Sequence, residues 1–433
     1  IPDDFKRNIP LNLPEVAEVD LVRHYTNLSR RAYGVDNGFY PLGSCTMKYN
    51  PKVNEEIARW KGFASVHPHT PEALCQGVLQ ILYGMERILA EVTGMDRVSL
   101  QAAAGAHGEL TGIRMVKACL QARGEKREKI LVPDSAHGPN CSTSTLASFQ
   151  MVELKSNELG VIAPEQVAKL MDERVAAIMV TNPNTLGLFE EHLKEIAGIV
   201  HRKGGFVYCD GANLNALMGI VKLGEIGVDV VHINLHKTFS TPHGGGGPGA
   251  GPVAVKEELA PFLPIPVIEK DGETYRFGMD RPQSIGKMKA FYGNFGVILR
   301  AYAYALSMGA EGLRKVSEMA VLNANYLMKK LKGHYHLPFD RPCMHEAVFT
   351  DKLQEKYHVS TLDIAKRLID YGFHPPTIYF PLVVKGALMI EPTETESRET
   401  IDQFAEVLIE IAREAEEKPD LLHRLHHKKP AEP

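Results

Sequence analysis

Long apolar runs are missing from this sequence. No apolar run in its 433 residues reaches the ~18 residues that a bilayer span requires, so no membrane segment is expected. A surplus of positive charge is missing too. The formal net charge is −4, which leaves no electrostatic footprint for a nucleic acid. Cysteine is sparse and scattered. Cys45, Cys75, Cys119, Cys141, Cys209 and Cys343 show no C-x-x-C spacing, which argues against a disulfide framework or a zinc site and fits a reducing cytoplasm. No signal-peptide pattern is visible in the residues given, which start at Ile1, and no internal repeat is found. The composition is otherwise ordinary, with 44% hydrophobic and 24% charged residues. That suits a globular chain long enough for one large and one small domain.

Residues 1–70 read as an N-terminal arm, rich in Pro and Asn, with short amphipathic pieces at Pro14–Ser29 and Pro51–Trp60. Within it, Tyr40–Pro51 (YPLGSCTMKYNP) is an unusual loop carrying the hydroxyls of Ser44 and Thr46 and the thiol of Cys45. It reads either as a packed arm crossing a subunit surface or as a loop reaching an active site. His67-Pro68-His69 has no third ligand at helical spacing, so it reads as a rigid turn and no metal is expected. Apolar periodicity predicts a helix over Pro71–Thr93.

From Asp96 the pattern alternates between strand and helix. Short apolar strands end at Gln101, Pro133, Thr181, Asp210 and Asn234, each beside small or polar residues. This predicts a doubly covered, mainly parallel sheet with its site at the carboxyl edge. Pro252–Val255 would return antiparallel. A long helical stretch over Arg281–Ala310 would bridge to a C-terminal α+β domain, with helices at Leu313–Leu331, Leu362–Tyr371 and Ser397–Glu414. The charged, His-rich ending from Glu416 reads as a surface tail. The boundaries that follow are an arm over 1–70, a large domain over 71–305 and a small domain over 306–433.

Chemistry gathers between Asp210 and Gly251. Asp210-Gly-Ala-Asn213 closes one apolar strand, His232-Ile-Asn-Leu-His-Lys-Thr-Phe239 follows the next, and a glycine tract runs from Gly244 to Gly251. Taken singly, a loop lysine is a solvated charge, a glycine tract a tight turn and a strand-end Asp a helix cap. In this order they are what pyridoxal 5'-phosphate chemistry asks for. Lys237 would join the cofactor aldehyde as an imine. Asp210 would keep the pyridinium nitrogen protonated, and the glycines would permit close approach. Upstream, Ala102–Glu109 makes a small-residue turn into a helix, a cradle for phosphate, though neither a Walker loop nor a Rossmann fingerprint. His137 sits just past a strand end, where its ring could stack on a pyridine. Asn182 could donate to a ring hydroxyl.

With these residues placed, the chain resembles the glycine decarboxylase P-protein family of the glycine cleavage system, and within it subunit 2 of the split bacterial form. The likeness rests on Leu42–Pro51 (LGSCTMKYNP), Ala103–Glu109 (AAGAHGE), Pro133–Gly138 (PDSAHG), Thr181–Glu190 (TNPNTLGLFE), Asp210–Ala216 (DGANLNA) and Asn234–Gly249 (NLHKTFSTPHGGGGPG). It implies a fold-type I α/β enzyme with a seven-stranded-type, mainly parallel sheet. Lys237 would carry the cofactor, Asp210 its ring nitrogen, His137 one ring face and Ala212 the other. Gly105 and Ala106 would hold the phosphate through backbone N–H groups, helped by Asn234 and His236. Asn182 or Thr181 would hold the 3'-oxygen. Lys237, His243 and His107 are candidates for the proton that the chemistry requires, with Ser44 and Cys45 as further candidates near the substrate. The implied reaction is decarboxylation of glycine with transfer of the aminomethyl group to the lipoyl arm of H-protein. The implied partner is a sister chain, subunit 1, in a cytoplasmic α2β2 assembly. Two other readings keep their place: an aminotransferase or lyase using the same cofactor, and a non-catalytic chain of the same fold, against which Lys237 and Asp210 argue.

Overall fold

The computed structural model describes residues 1–244 and 249–423. Residues 1–38 form one compact unit and a second begins at Phe39. The first holds a single-turn helix at Asp3–Phe5 and the helix Glu18–Ser29, neither with a buried residue.

The division between the units falls at Gly38–Phe39, inside the stretch read as an arm over residues 1–70. The reason is local. Phe39 is buried edge-on against Phe404, with ring centroids 4.9 Å apart, and Leu42 forms a bridge with Ile390. At His67-Pro68-His69, Thr70 donates its N–H to the His67 carbonyl, the expected turn.

The second unit is built on seven strands: β1 (Arg97–Ser99), β2 (Lys129–Pro133), β3 (Gln150–Leu154), β4 (Val175–Thr181), β5 (Phe206–Gly211), β6 (Val230–Ile233) and β7 (Val253–Val255). Their spatial order is β1-β7-β6-β5-β4-β2-β3. The run β3-β2-β4-β5-β6 is parallel, while β7 is antiparallel to both β6 and β1. Strand residues alternate between two cores. Ile178, Val180, Val207 and Val231 face one, with the helices Gln76–Thr93 and Leu193–Arg202. Ala177, Met179, Phe206, Tyr208 and Val230 face the other, with the helix Gly105–Ala122. Burial on both faces explains why β4 is apolar at every position but its last.

A hairpin follows, β8 (Val267–Asp271) with β9 (Thr274–Gly278), and then a three-stranded antiparallel sheet of β10 (Ala347–Thr350), β11 (Thr377–Ile378) and β12 (Ala387–Ile390) in the order β10-β12-β11. Element bounds differ from the sequence reading at several places. The long helix starts at Phe295, not Arg281, because Pro282, Gly286 and Gly293 interrupt the earlier residues; both glycines have positive φ. It then runs to Leu331 with a break at Gly309, whose φ of 62° only glycine adopts without strain. The C-terminal helix extends to Glu417, and Pro419–His423 adds a turn that anchors the otherwise largely exposed ending through Leu422, which is buried in the core. The rest of the expected tail, residues 424–433, lies outside the described residues, as do residues 245–248 of the glycine tract.

Candidate active site

Register places the first polar groups. Across three adjacent parallel strands, Thr181 pairs with Asp210 and Asp210 with His232, so the three lie side by side at the carboxyl edge. Asp210 is fully buried, and a buried carboxylate must be compensated. Oδ2 accepts from His137 Nδ1 at 2.7 Å, Oδ1 accepts the Ala212 N–H at 2.9 Å, and His232 Nε2 lies 3.3 Å from Oδ1. Burial pushes the carboxyl up, but His137 and His232 outweigh it and hold it well below the usual carboxylate range. Burial lowers His232 to about 4 despite Asp210, and its Nδ1 meets the Tyr208 hydroxyl at 2.6 Å.

His137 continues the chain outward. It precedes the helix Gly138–Leu146. Its N–H donates to Thr181 Oγ1 at 3.1 Å, and its Nε2 lies 2.6 Å from Ser44 Oγ. The order is Tyr208, His232, Asp210, His137, Ser44, running from the core to the half-buried rim.

Lys237 lies one turn past β6, in the short helix Leu235–Thr238 that starts after Asn234. It is half-buried, and its Nζ donates to the Ser44 carbonyl at 2.7 Å. Of the two readings of the 40–51 loop, the one in which it reaches the site fits. Ser44 and Thr46 have positive φ, 62° and 50°. The Ser44 N–H donates to Glu346 at 2.6 Å, the Thr46 N–H to Glu391 at 2.8 Å, and the Thr46 hydroxyl to Glu391 at 2.6 Å. Lys48 bonds Glu394 and the Thr238 carbonyl. Cys45 is enclosed: burial pushes its thiol up to about 11, with Lys237 only partly opposing, so it is poorly nucleophilic.

The helix Gly105–Ala122 points its N-terminus at the same edge. No side chain caps it, so the first backbone N–H groups and the helix dipole face outward. Its approach is tight. A Cβ on Gly105 would lie 2.5 Å from Asn234 Oδ1, and one on Gly251 would lie 2.0 Å from the Ala104 carbonyl. Asn234 Oδ1 and Asn182 Nδ2 are buried without hydrogen-bond partners among the described residues. Thr181 Oγ1, by contrast, already accepts from the His137 N–H and Asn140.

The remaining sequence candidates sit as follows. His236 and His243 pack edge to face, centroids 5.0 Å apart. Burial first, then neighbouring positive charge, lowers them to about 3 and about 4. His107 Nδ1 accepts the Ala103 N–H, and no hydrogen bond joins it to Lys237 or Asp210 among the described residues. Sequence reasoning gave no role to Glu109, His232, His345, Glu346 or Glu391. The available signal was an ionisable residue flanking an otherwise apolar strand, as with Glu346 before β10 and Glu391 after β12.

The fold and this edge define the class: an α/β enzyme of the fold-type I, pyridoxal-phosphate kind. Residues 107–266 match the aminotransferase class-V model, and residues 316–425 match the glycine dehydrogenase C-terminal domain. The chain is 59% identical over 431 residues to a probable glycine dehydrogenase (decarboxylating) subunit 2 of Caldanaerobacter subterraneus subsp. tengcongensis, covering 99% of this chain and 89% of that protein. It is 57% identical to the like-named protein of Halalkalibacterium halodurans, covering 99% and 88%. It belongs to the glycine dehydrogenase (decarboxylating) subunit 2 family. Among solved structures, a glycine decarboxylase (P-protein) of the glycine cleavage system in inhibitor-bound form superposes with a TM-score of 0.78 at 21% identity, covering 95% of this chain and 93% of that one. A sphingosine-1-phosphate lyase of Burkholderia pseudomallei reaches 0.72 at 13% identity, covering 96% and 95%. No described helix is long and apolar enough to cross a membrane.

Proposed function

We propose that this chain decarboxylates glycine with pyridoxal 5'-phosphate as cofactor and delivers the aminomethyl group to a lipoyl arm on a carrier, the H-protein. The observation that carries the reading is the joint placement of Lys237 and Asp210 at the ends of adjacent parallel strands, beside an uncapped helix N-terminus.

The residues present fit the cofactor. Lys237 offers an amine whose one described hydrogen bond is to a loop carbonyl. Asp210, kept ionised by its histidines, would hold a protonated ring nitrogen, sharing its oxygens with His137. The Gly105 and Ala106 N–H groups and Asn234 would hold the phosphate, and the close approach of Gly105 to Asn234 leaves that cradle free of side-chain bulk. Asn182 Nδ2, buried and unpartnered, suits the 3'-oxygen better than Thr181, which already has two donors. When bound, the cofactor supplies the electron sink for the pair left on carbon as CO2 departs.

The protein's part is orientation, charge and proton handling. The glycine carbon–carboxylate bond breaks, a carbon–sulfur bond forms, and the disulfide opens. Glycine is thereby oxidised and the disulfide reduced, and the second sulfur takes a proton. Ser44, backed by His137 and Asp210, can hold or pass a proton at its Oγ. Lys237, His243 and His107 remain as other donors, of which His107 is turned toward Ala103. The sister chain, subunit 1, the α2β2 assembly and a cytoplasmic setting belong to the same proposal. Support comes from the "subunit 2" in the relatives' names and from the scattered, unpaired cysteines.

Exchange of labelled bicarbonate into the glycine carboxyl group tests the reading, with this chain, subunit 1 and lipoylated carrier, omitting each in turn. Exchange that needs all three supports it. Amino transfer to a keto acid with no need for the carrier would favour an aminotransferase instead.

A further inference from the structure

Two buried carboxylates outside the cofactor residues converge on the loop that receives Lys237. Glu346 immediately precedes β10 and Glu391 immediately follows β12. These strands are antiparallel partners with Ala347 opposite Ile390, so both carboxylates emerge at one end of the small sheet. Ligand-type atoms of His345, Glu346 and Glu391 lie within 4.8 Å of one another, and both glutamates are almost wholly buried. Each takes a backbone N–H from a residue in the left-handed region, Ser44 and Thr46. Non-glycine residues hold such conformations only where the surroundings over-determine them. Glu391 adds the Thr46 hydroxyl, and its own N–H donates to the Pro41 carbonyl. Among the described residues, these are the side-chain bonds that fix the 44–46 turn from the C-terminal side.

We propose that Glu346 and Glu391 are positioning residues, a paired carboxylate clamp that holds the Ser44–Thr46 turn over Lys237. The clamp fixes the two Ser44 atoms the site uses. Its carbonyl meets the lysine amine, and its hydroxyl meets His137. It acts through acceptor oxygens at fixed reach, so a shorter side chain fails where an amide of equal length succeeds. That the turn serves catalysis rests on the proposed function; the clamp itself does not.

Cys45, inside the turn, reports on it directly, and half-buried Cys141 on the helix Gly138–Leu146 serves as internal reference. Alkylation by iodoacetamide is followed by mass spectrometry on the cofactor-free full chain. Losing an acceptor for a buried N–H should open the turn often enough to raise the Cys45 rate about tenfold or more in Glu346→Ala and Glu391→Ala, with Cys141 unchanged. Glu346→Asp and Glu391→Asp should behave like the alanine variants, while Glu346→Gln and Glu391→Gln should stay within about threefold of the parent. Thr46→Val, which keeps both carboxylates, should give an intermediate rate and covers the case in which an alanine variant fails to fold. An unchanged Cys45 rate in folded alanine or aspartate variants overturns the clamp, as does a glutamine variant as reactive as alanine. If the parent chain binds no pyridoxal phosphate, the proposed function falls, yet the alkylation series still decides the clamp.

Discussion

Lys237 and Ser44 lie 193 positions apart in the chain, yet the lysine Nζ donates to the serine carbonyl at 2.7 Å. The bond joins an amine just past β6 to a loop tethered to the C-terminal sheet. Ser44 also meets His137, and His137 meets Asp210. One residue of an unusual loop thereby touches both halves of the candidate chemistry, the amine and the buried carboxylate with its histidine.

Replacing the amine is the most direct trial. Lys237→Ala keeps the short helix, since alanine is a good helix former, but removes the nucleophile. Bicarbonate exchange should fall by at least ~10³-fold. A variant with near-parental exchange would remove Lys237 from the mechanism.

Asp210 allows a finer distinction. Asp210→Asn keeps the shape and the bond from Ala212 while deleting the charge that His137 and His232 enclose. Charged hydrogen bonds are worth about 1.5–3 kcal/mol, so retention of pyridoxal 5'-phosphate should weaken roughly ten- to a hundredfold. Equilibrium dialysis with absorbance detection reads this without any turnover. Undiminished retention would argue that the ring nitrogen is not held there.

The proposed phosphate cradle makes a steric prediction. A methyl at Gly251 would sit 2.0 Å from the backbone carbonyl of Ala104, which cannot swing aside. Gly251→Ala should cost about 1–3 kcal/mol of stability from overpacking, seen as a lower urea midpoint. Gly105→Ala meets the Asn234 side chain instead. It should be milder in stability but should lower cofactor affinity, and equal effects on both quantities in the two variants would contradict the cradle.

The sheet and most of the edge could be read from the chain because the signals are local. An apolar β4 ending in Thr181-Asn182, a β5 ending in Asp210 and a lysine one turn past β6 each announce themselves within ten residues. Glu346 and Glu391 could not be read this way. Their role depends on β10 pairing with β12 and on Ser44 and Thr46 arriving from some three hundred positions earlier, a contact that no periodicity encodes. The long helix was misread at its start because apolar spacing over Arg281–Asn294 outweighed Pro282, Gly286 and Gly293, which stop helix propagation. Within the stretch read as an arm, polar, Pro-rich composition hides single anchors such as Phe39.

Glu109 supplies a pH-dependent prediction. It is buried beside Asp210 on the helix Gly105–Ala122, and its Oε2 accepts from Thr143 at 2.9 Å. Burial first, then the Asp210 charge, raises its carboxyl from 4.5 to about 8. Below about 4.5 the folded and unfolded chains both hold this proton and stability is unaffected. Between about 4.5 and about 8 the unfolded chain releases it while the folded chain keeps it, so stability falls as pH rises; above that window the cost is constant. Glu109→Gln removes the proton equilibrium, still accepts from Thr143, and can turn an amide N–H toward Asp210. Its melting temperature should match the parent near pH 4.5 and exceed it increasingly toward pH 8. A difference that is flat with pH, or largest at the acidic end, would mean that Glu109 is ionised in the folded protein.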